Sequence, residues 1–390
     1  MTPSPILDAP GAVSARDGSP DAGVPWHFGD PFAEQRAAAR AVAVVDRSHR
    51  EVLAVTGEER LSWLHLVISQ HVTGLADGAG TEALVLDSQG RVDAHMVLAH
   101  ADGTVWLDTE AGASATGARG GRQSLREYLD SMRFWSKVDV ADATADRALL
   151  SVVGPETADL LANLGVALPD EPYGVAAAGE VLARRMPWPA VGGGAAILPP
   201  AGRRGREGTA AADLLVPRPV LHEWWDRLTG AGARPMGSWG FEALRVTAVR
   251  ARLGVDTDER TIPHEVGWVH VAAHVAKGCY RGQETVAKVH NIGRPPRHMV
   301  LLHLDGSPEV LPETGDPVLL GERAVGRVGT VAQHHELGPI ALALVKRSVP
   351  VDAELTAGAE DRVVQASIDP DSVPEDTPGL GREAARRLHG

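Results

Sequence analysis

Cysteine is what this sequence has least of: Cys279 is the only one in 390 residues. A single thiol excludes an intramolecular disulfide framework and points to a reducing compartment. It also excludes a permanent four-thiolate zinc or iron–sulfur site within one chain. Positive charge is in short supply, with 38 Lys and Arg against 51 Asp and Glu and a net charge of −13. That balance argues against general affinity for nucleic acid or an anionic membrane. No apolar run approaches the ~20 residues that cross a bilayer. Residues 1–25 hold Asp8, Asp17 and Asp21, several Pro and Gly, and no apolar core of a secretory signal. They read as a disordered tail, and the chain as a cytoplasmic protein. Walker, G-x-G-x-x-G and G-x-S-x-G patterns are missing. Aromatic content is 4%, but 44% hydrophobic residues suffice for sizeable cores.

The length predicts two or three domains. Helices are expected over 34–45 and 58–68, followed by paired strands at 83–86 and 92–98 around the turn Asp87-Ser88-Gln89-Gly90. A second unit starts near Ala148 with a buried-type strand at 149–153 and helices at 156–164 and 220–229. Residues 186–208, rich in Pro, Gly and Arg, read as a long exposed loop. A helix over 238–248 leads into a turn-rich segment, 250–292. Short strands at 299–304, 317–320, 324–331 and 340–345, separated by Gly, Pro and Asp, suggest a small β-barrel. Strand and helix runs of this kind fit an α+β layer.

The thiol lies in Lys277-Gly278-Cys279-Tyr280-Arg281-Gly282-Gln283-Glu284. A lone cysteine ordinarily reads as a buried, inert side chain. Here two cations that favour a thiolate and two backbone-freeing glycines turn the reading towards a partly exposed, reactive thiol. Tyr280 offers a stacking face, Gln283 both donor and acceptor, and Glu284 acceptors only. Residues 277–298 carry Lys277, Arg281, Lys288, Arg294 and Arg297 against Glu284, either a solvated basic loop or a docking surface for an anion. His264-Glu265 reads as a solvated turn or a grip on a donor-rich ring; no histidine spacing matches a zinc site.

The octapeptide resembles the K-G-C-Y-x-G-Q-E signature of the YgfZ branch of the YgfZ/GcvT folate-binding family. Asp46-Arg47-Ser48-His49, Ser69-Gln70-His71-Val72, the turn Asp87 to Gly90, Ser136-Lys137-Val138, Ile262-Pro263-His264-Glu265 and Arg294-Pro295-Pro296-Arg297 are similar to further family patterns in the same order. The resemblance covers about residues 27–365. It implies an α+β fold of three domains in a ring around a folate channel. By this reading 26–145 form a split N-terminal domain continued by 235–292, 146–234 a ferredoxin-like domain, 293–368 a β-barrel and 369–390 a flexible tail. It implies tetrahydrofolate or a folate derivative as ligand. It also implies a role in assembly or repair of iron–sulfur clusters, with client enzymes, tRNA-modifying ones included, and assembly proteins as partners. A cluster would be held transiently, since one cysteine cannot own it.

The family's enzymes are aminomethyltransferases of glycine cleavage. Where they carry acids, this chain aligns His71 and, in Leu244-Arg245-Val246-Thr247-Ala248, Thr247. The main expectation is therefore a folate-binding accessory protein with Cys279 reactive. Lys277, Gly278, Tyr280, Arg281, Gly282, Gln283, Glu284, Glu265, Arg245 and His71 would form the folate site or its motif, and no metal site is expected. The alternative is a tetrahydrofolate-dependent aminomethyltransferase with His71 as base. A plain folate-binding module comes third.

Overall fold

The structure is a computed structural model and describes residues 3–117, 120–187, 210–292, 294–307 and 310–374. Three β-bodies pack around one internal helix. The first is an antiparallel five-stranded sheet in the order Asp139–Asp142, Glu51–Thr56, Thr104–Thr109, Val92–Ala101, Ala79–Leu86. Its hairpin, Ala79–Leu86 with Val92–Ala101, is apolar on both faces. Ala83, Val85, Ala94 and Met96 pack with the helix Arg60–Val67 on one side. Leu84, Leu86 and Val92 pack with Val246, Met299 and Leu342 on the other. Period-two alternation sends Ala83 and Val85 to one face and Leu84 and Leu86 to the other, and a register shift opposite Val85 and Leu86 turns Val92 to the face away from Ala94.

The second body is a six-stranded sheet. Strands Arg147–Val153, Ala210–Pro217 and Val181–Pro187 form its centre, covered by helices Thr157–Asn163 and Leu221–Gly230 through Leu160, Leu161, Trp225 and Leu228. Two of its strands come from outside this stretch. Ala43–Asp46 pairs antiparallel with Arg147–Val153, and Arg234–Met236 pairs parallel with Ala43–Asp46. The helix expected over 34–45 accordingly spans Pro31–Arg40. Val44 and Val45, β-branched and fully buried, belong to the strand that follows.

The third body is a closed six-stranded barrel, as the strand spacing predicted. Its order is Arg297–Leu304, Gly338–Lys346, Arg323–His334, Pro317–Leu320, Leu355–Ala357, Val364–Ile368. The helix Ser238–Thr247 sits between the bodies, with Phe241, Glu242, Leu244 and Arg245 all buried.

The sequence reading is corrected at four further places. Residues 3–25 are not a loose tail. Ser4 caps the 3-10 helix Pro5–Asp8, Ile6 enters the core beside Trp225, Val13–Ser14 pairs with Pro25–His27, and Asp21 is buried. Ile6 and Asp21 have partners only in the folded body, which local composition does not reveal. The turn-rich segment ends in a helix, Gln283–Ile292, whose start is marked by Gln283 Oε1 accepting from Tyr280 N at 3.1 Å. The C-terminal tail is packed as far as Ser372, whose Oγ accepts from Leu301 N at 3.0 Å; residues 375–390 lie outside the described residues. Of the expected loop 186–208, Met186 and Pro187 close the strand Val181–Pro187 and the rest lies outside the described residues. No helix among the described residues is long and apolar enough to cross a membrane.

Candidate functional site

A cavity of about 70 Å³ lies where the two sheets meet the internal helix. Five arginines (Arg47, Arg50, Arg245, Arg250, Arg252) and five carboxylates (Asp21, Asp108, Glu110, Asp213, Glu242) line it, with His49 and His95 and apolar faces from Val97, Met186 and Phe241. Most of these charges cancel in pairs. Arg245 holds Glu242 through two nitrogens, at 3.0 and 2.7 Å, and Asp256 at 2.6 Å. Arg50 bonds Asp108 at 3.0 Å and also Glu110. Arg252 bonds Asp21 and Glu110, each at 2.9 Å. Buried charges survive when paired in this way.

Two groups are less committed. Arg47 lies over the Phe241 ring at 4.6 Å, donates to Ser151 Oγ at 3.2 Å and reaches Asp213 only at 3.7 Å. Burial and the neighbouring Arg50 charge lower its pKa to about 10. His95 faces the cavity from the strand Val92–Ala101, and its Nε2 lies 2.8 Å from Glu82 Oε2. Glu82 is buried and its other oxygen accepts from Tyr173 at 2.6 Å and Arg250 at 2.7 Å. These partners overcome desolvation and hold its carboxyl far below the usual carboxylate range, with Arg250 the largest favourable influence.

Of the residues expected to form the site, only Arg245 lines this cavity. His71 is exposed on the protein surface, with its Nε2 2.9 Å from Thr73 Oγ1 and its ring near those of His65 and His274. Glu265 is buried at the barrel, gripped by Arg297 through two bonds of 2.8 Å. Thr247 turns its hydroxyl to Leu244 O at 2.9 Å.

The octapeptide forms a surface loop in which Cys279 is exposed. Its two cations are engaged elsewhere. Lys277 is buried and donates to Ile68 O at 2.6 Å, Gln70 O at 3.1 Å and His65 O. It thereby supplies carbonyls at the end of the helix Arg60–Val67, which lack intrahelical donors. Burial lowers its pKa to about 8. Arg281 donates to Thr116 O. Tyr280 is buried and donates to His274 O at 3.2 Å, and burial raises its pKa to about 12. Gly282 has φ +80°, whereas Gly278 and Glu284 are exposed. Among the described residues no group of His, Cys, Asp and Glu has the arrangement of a metal site.

Sequence reasoning passed over Glu82, His95 and Asp21. For Glu82 and His95 the available signal was a titratable residue inside each strand of a largely apolar hairpin, which a buried pair explains.

Residues 23–188 match the GCVT N-terminal domain family. The chain is 26% identical to an aminomethyltransferase of Thermosynechococcus vestitus over 350 residues, 89% of this chain and 88% of that one. It is 26% identical over 248 residues to the aminomethyltransferase of Nitrosococcus oceani, covering 63% of this chain and 62% of the relative. The fold matches the glycine cleavage system aminomethyltransferase T from Bartonella henselae with a TM-score of 0.75 at 16% identity, over 97% of this chain and 96% of that one. Residues 23–188 thus match a GCVT N-terminal domain, and the chain shares its fold from end to end with that enzyme.

Proposed function

We propose that this chain binds a tetrahydrofolate in the central cavity and serves one-carbon transfer of the aminomethyltransferase type. The observation that carries this reading is the cavity itself: paired charges, apolar faces and less committed polar groups, set where the two sheets meet the internal helix. The aminomethyltransferase relatives favour the transfer reading over other folate roles.

The lining suits a pterin in chemistry. Met186, Val97 and Phe241 offer apolar surfaces for a ring, and Glu242 offers carboxylate oxygens as acceptors. Arg47 is the cation best able to take an anionic group. In size the cavity holds a few waters as it stands. Ligand entry therefore requires the lining to part. Tetrahydrofolate supplies the nitrogen that carries the one-carbon unit; the chain supplies orientation, exclusion of water and proton handling.

The test is calorimetric titration with tetrahydrofolate under anaerobic conditions, followed by an assay of methylene-tetrahydrofolate formation from an aminomethyl donor. Binding with turnover supports the reading; no binding overturns it.

A second reading, service to iron–sulfur enzymes, is favoured by one observation. Cys279 is exposed and lies outside the cavity lining, free to meet another protein's cluster or thiol. Under this reading the partners are iron–sulfur client enzymes, tRNA-modifying ones among them, any cluster is transient, and binding without turnover is the expected calorimetric result. Replacing Cys279 with Ser would then lower client-enzyme activity in cells under oxidative stress. Unchanged activity in cells lacking other such factors removes this reading.

A further inference from the structure

We propose that His95, held by Glu82, is the proton-transfer residue of the central cavity, acting on an N–H group of an amine ligand seated there. The proposal rests on the one-carbon reading for its ligand, but its own evidence is geometric.

The imidazole is fixed on two sides. Its Nε2 is 2.8 Å from Glu82 Oε2, so Nε2 carries the hydrogen and Nδ1 keeps its lone pair. Its ring lies parallel to that of Trp268, with centroids 4.8 Å apart and an interplanar angle of 11°. Glu82 is locked in turn by Tyr173 and Arg250. A carboxylate that orients an imidazole, selects its tautomer and compensates its charge is the arrangement that makes histidine a competent base.

The rest of the cavity explains why the role falls to His95. Its carboxylates Asp108, Glu110, Glu242 and Asp21 are all bonded to arginines and are poor proton acceptors. His49 is tied to Asp21 at 3.3 Å. The charged groups around His95 are Glu82 and Asp108 from the strands on either side of its own, Arg250 beyond the internal helix, and Arg245 from that helix.

The step moves one proton. The ligand's N–H bond breaks as its nitrogen becomes nucleophilic, the electron pair stays on nitrogen, and the proton forms an N–H bond at Nδ1. Glu82 offsets the imidazolium charge. As the ligand nitrogen bonds to the donor's aminomethyl carbon, that carbon's bond to its own amine breaks, and the proton passes from Nδ1 to the expelled amine, so no oxidant or reductant is needed.

The experiment combines a ring-nitrogen measurement with kinetics on the full chain. In ¹⁵N-histidine NMR of the wild type, neutral His95 should be the Nε2-H tautomer. His95→Gln should bind tetrahydrofolate but slow transfer about a hundredfold and abolish the acidic limb of the pH–rate profile. Glu82→Gln should weaken the Nε2-H preference of His95 and slow transfer. A neutral Nδ1-H tautomer overturns the proposal even if every variant misfolds, as does a wild-type transfer rate in His95→Gln. Tetrahydrofolate that fails to bind the wild type overturns the folate reading instead, and the tautomer still decides the place of His95.

Discussion

A Cβ on Gly282 would lie 2.7 Å from the Cα of Gly90, and one on Gly90 would lie 3.0 Å from the carbonyl oxygen of Gly282. The cysteine-bearing loop therefore packs, backbone to backbone, on the tip of the hairpin that carries Glu82 and His95. Both glycines have positive φ, +80° and +79°. Either Gly282→Ala or Gly90→Ala should cost about 1–3 kcal/mol in urea unfolding. Gly278→Ala, with open space around its Cβ, should stay within about 0.5 kcal/mol. Equal effects at Gly278 and Gly282 would refute this account of the loop.

Lys277 should prove a structural cation. Lys277→Met leaves the carbonyls of Ile68 and Gln70 without their donor and should destabilise by about 1–3 kcal/mol. Because burial lowers the folded pKa from 10.5 to about 8, the unfolded chain binds more protons between those values. Wild-type stability relative to the Met variant should then rise with pH across that window. A falling difference contradicts the burial argument.

Asp21 should anchor the N-terminal segment. Its carboxyl, held to about 2 by Arg252 and His49 against desolvation, favours the folded state above the unfolded value of 3.8. Asp21→Asn should cost about 2 kcal/mol at pH 7. That cost should shrink as pH falls from about 4 towards 2. A pH-independent difference means that the ion pair is not its source.

Arg47 and His71 should separate cavity from surface. Arg47→Met removes the least committed cation of the cavity and should weaken tetrahydrofolate at least about tenfold, as loss of a charge-assisted bond does. His71→Ala lies outside the lining and should leave that affinity unchanged within about twofold. The reverse pattern in calorimetry would move the site to the surface histidines.

Cys279 should react with iodoacetamide in the native protein at a rate close to that of the unfolded chain, since its side chain is exposed. Protection in the native state, read by mass spectrometry, would place the thiol in an interior the structure does not give it.

The barrel, the Asp87 to Gly90 turn and the internal helix were legible because their signals are local: alternation, turn residues and helical periodicity. The octapeptide was legible as a motif, but not in the orientation of its side chains. Lys277 and Arg281 flank Cys279 in sequence, yet their donors go to His65, Ile68, Gln70 and Thr116. The N-terminal segment was misread because Asp21 finds Arg252 across 231 positions of chain.

By itself the sequence determined the layered α+β plan, the single thiol and its glycine-framed loop. Each depends on residue identity at short range. Only the tertiary structure decided which titratable groups share a cavity. Glu82, His95, Tyr173 and Arg250 come from separate strands and loops, and their partnership exists only once desolvation makes every buried charge find an opposite. The same packing left Cys279 at the surface and assigned the interior to His95.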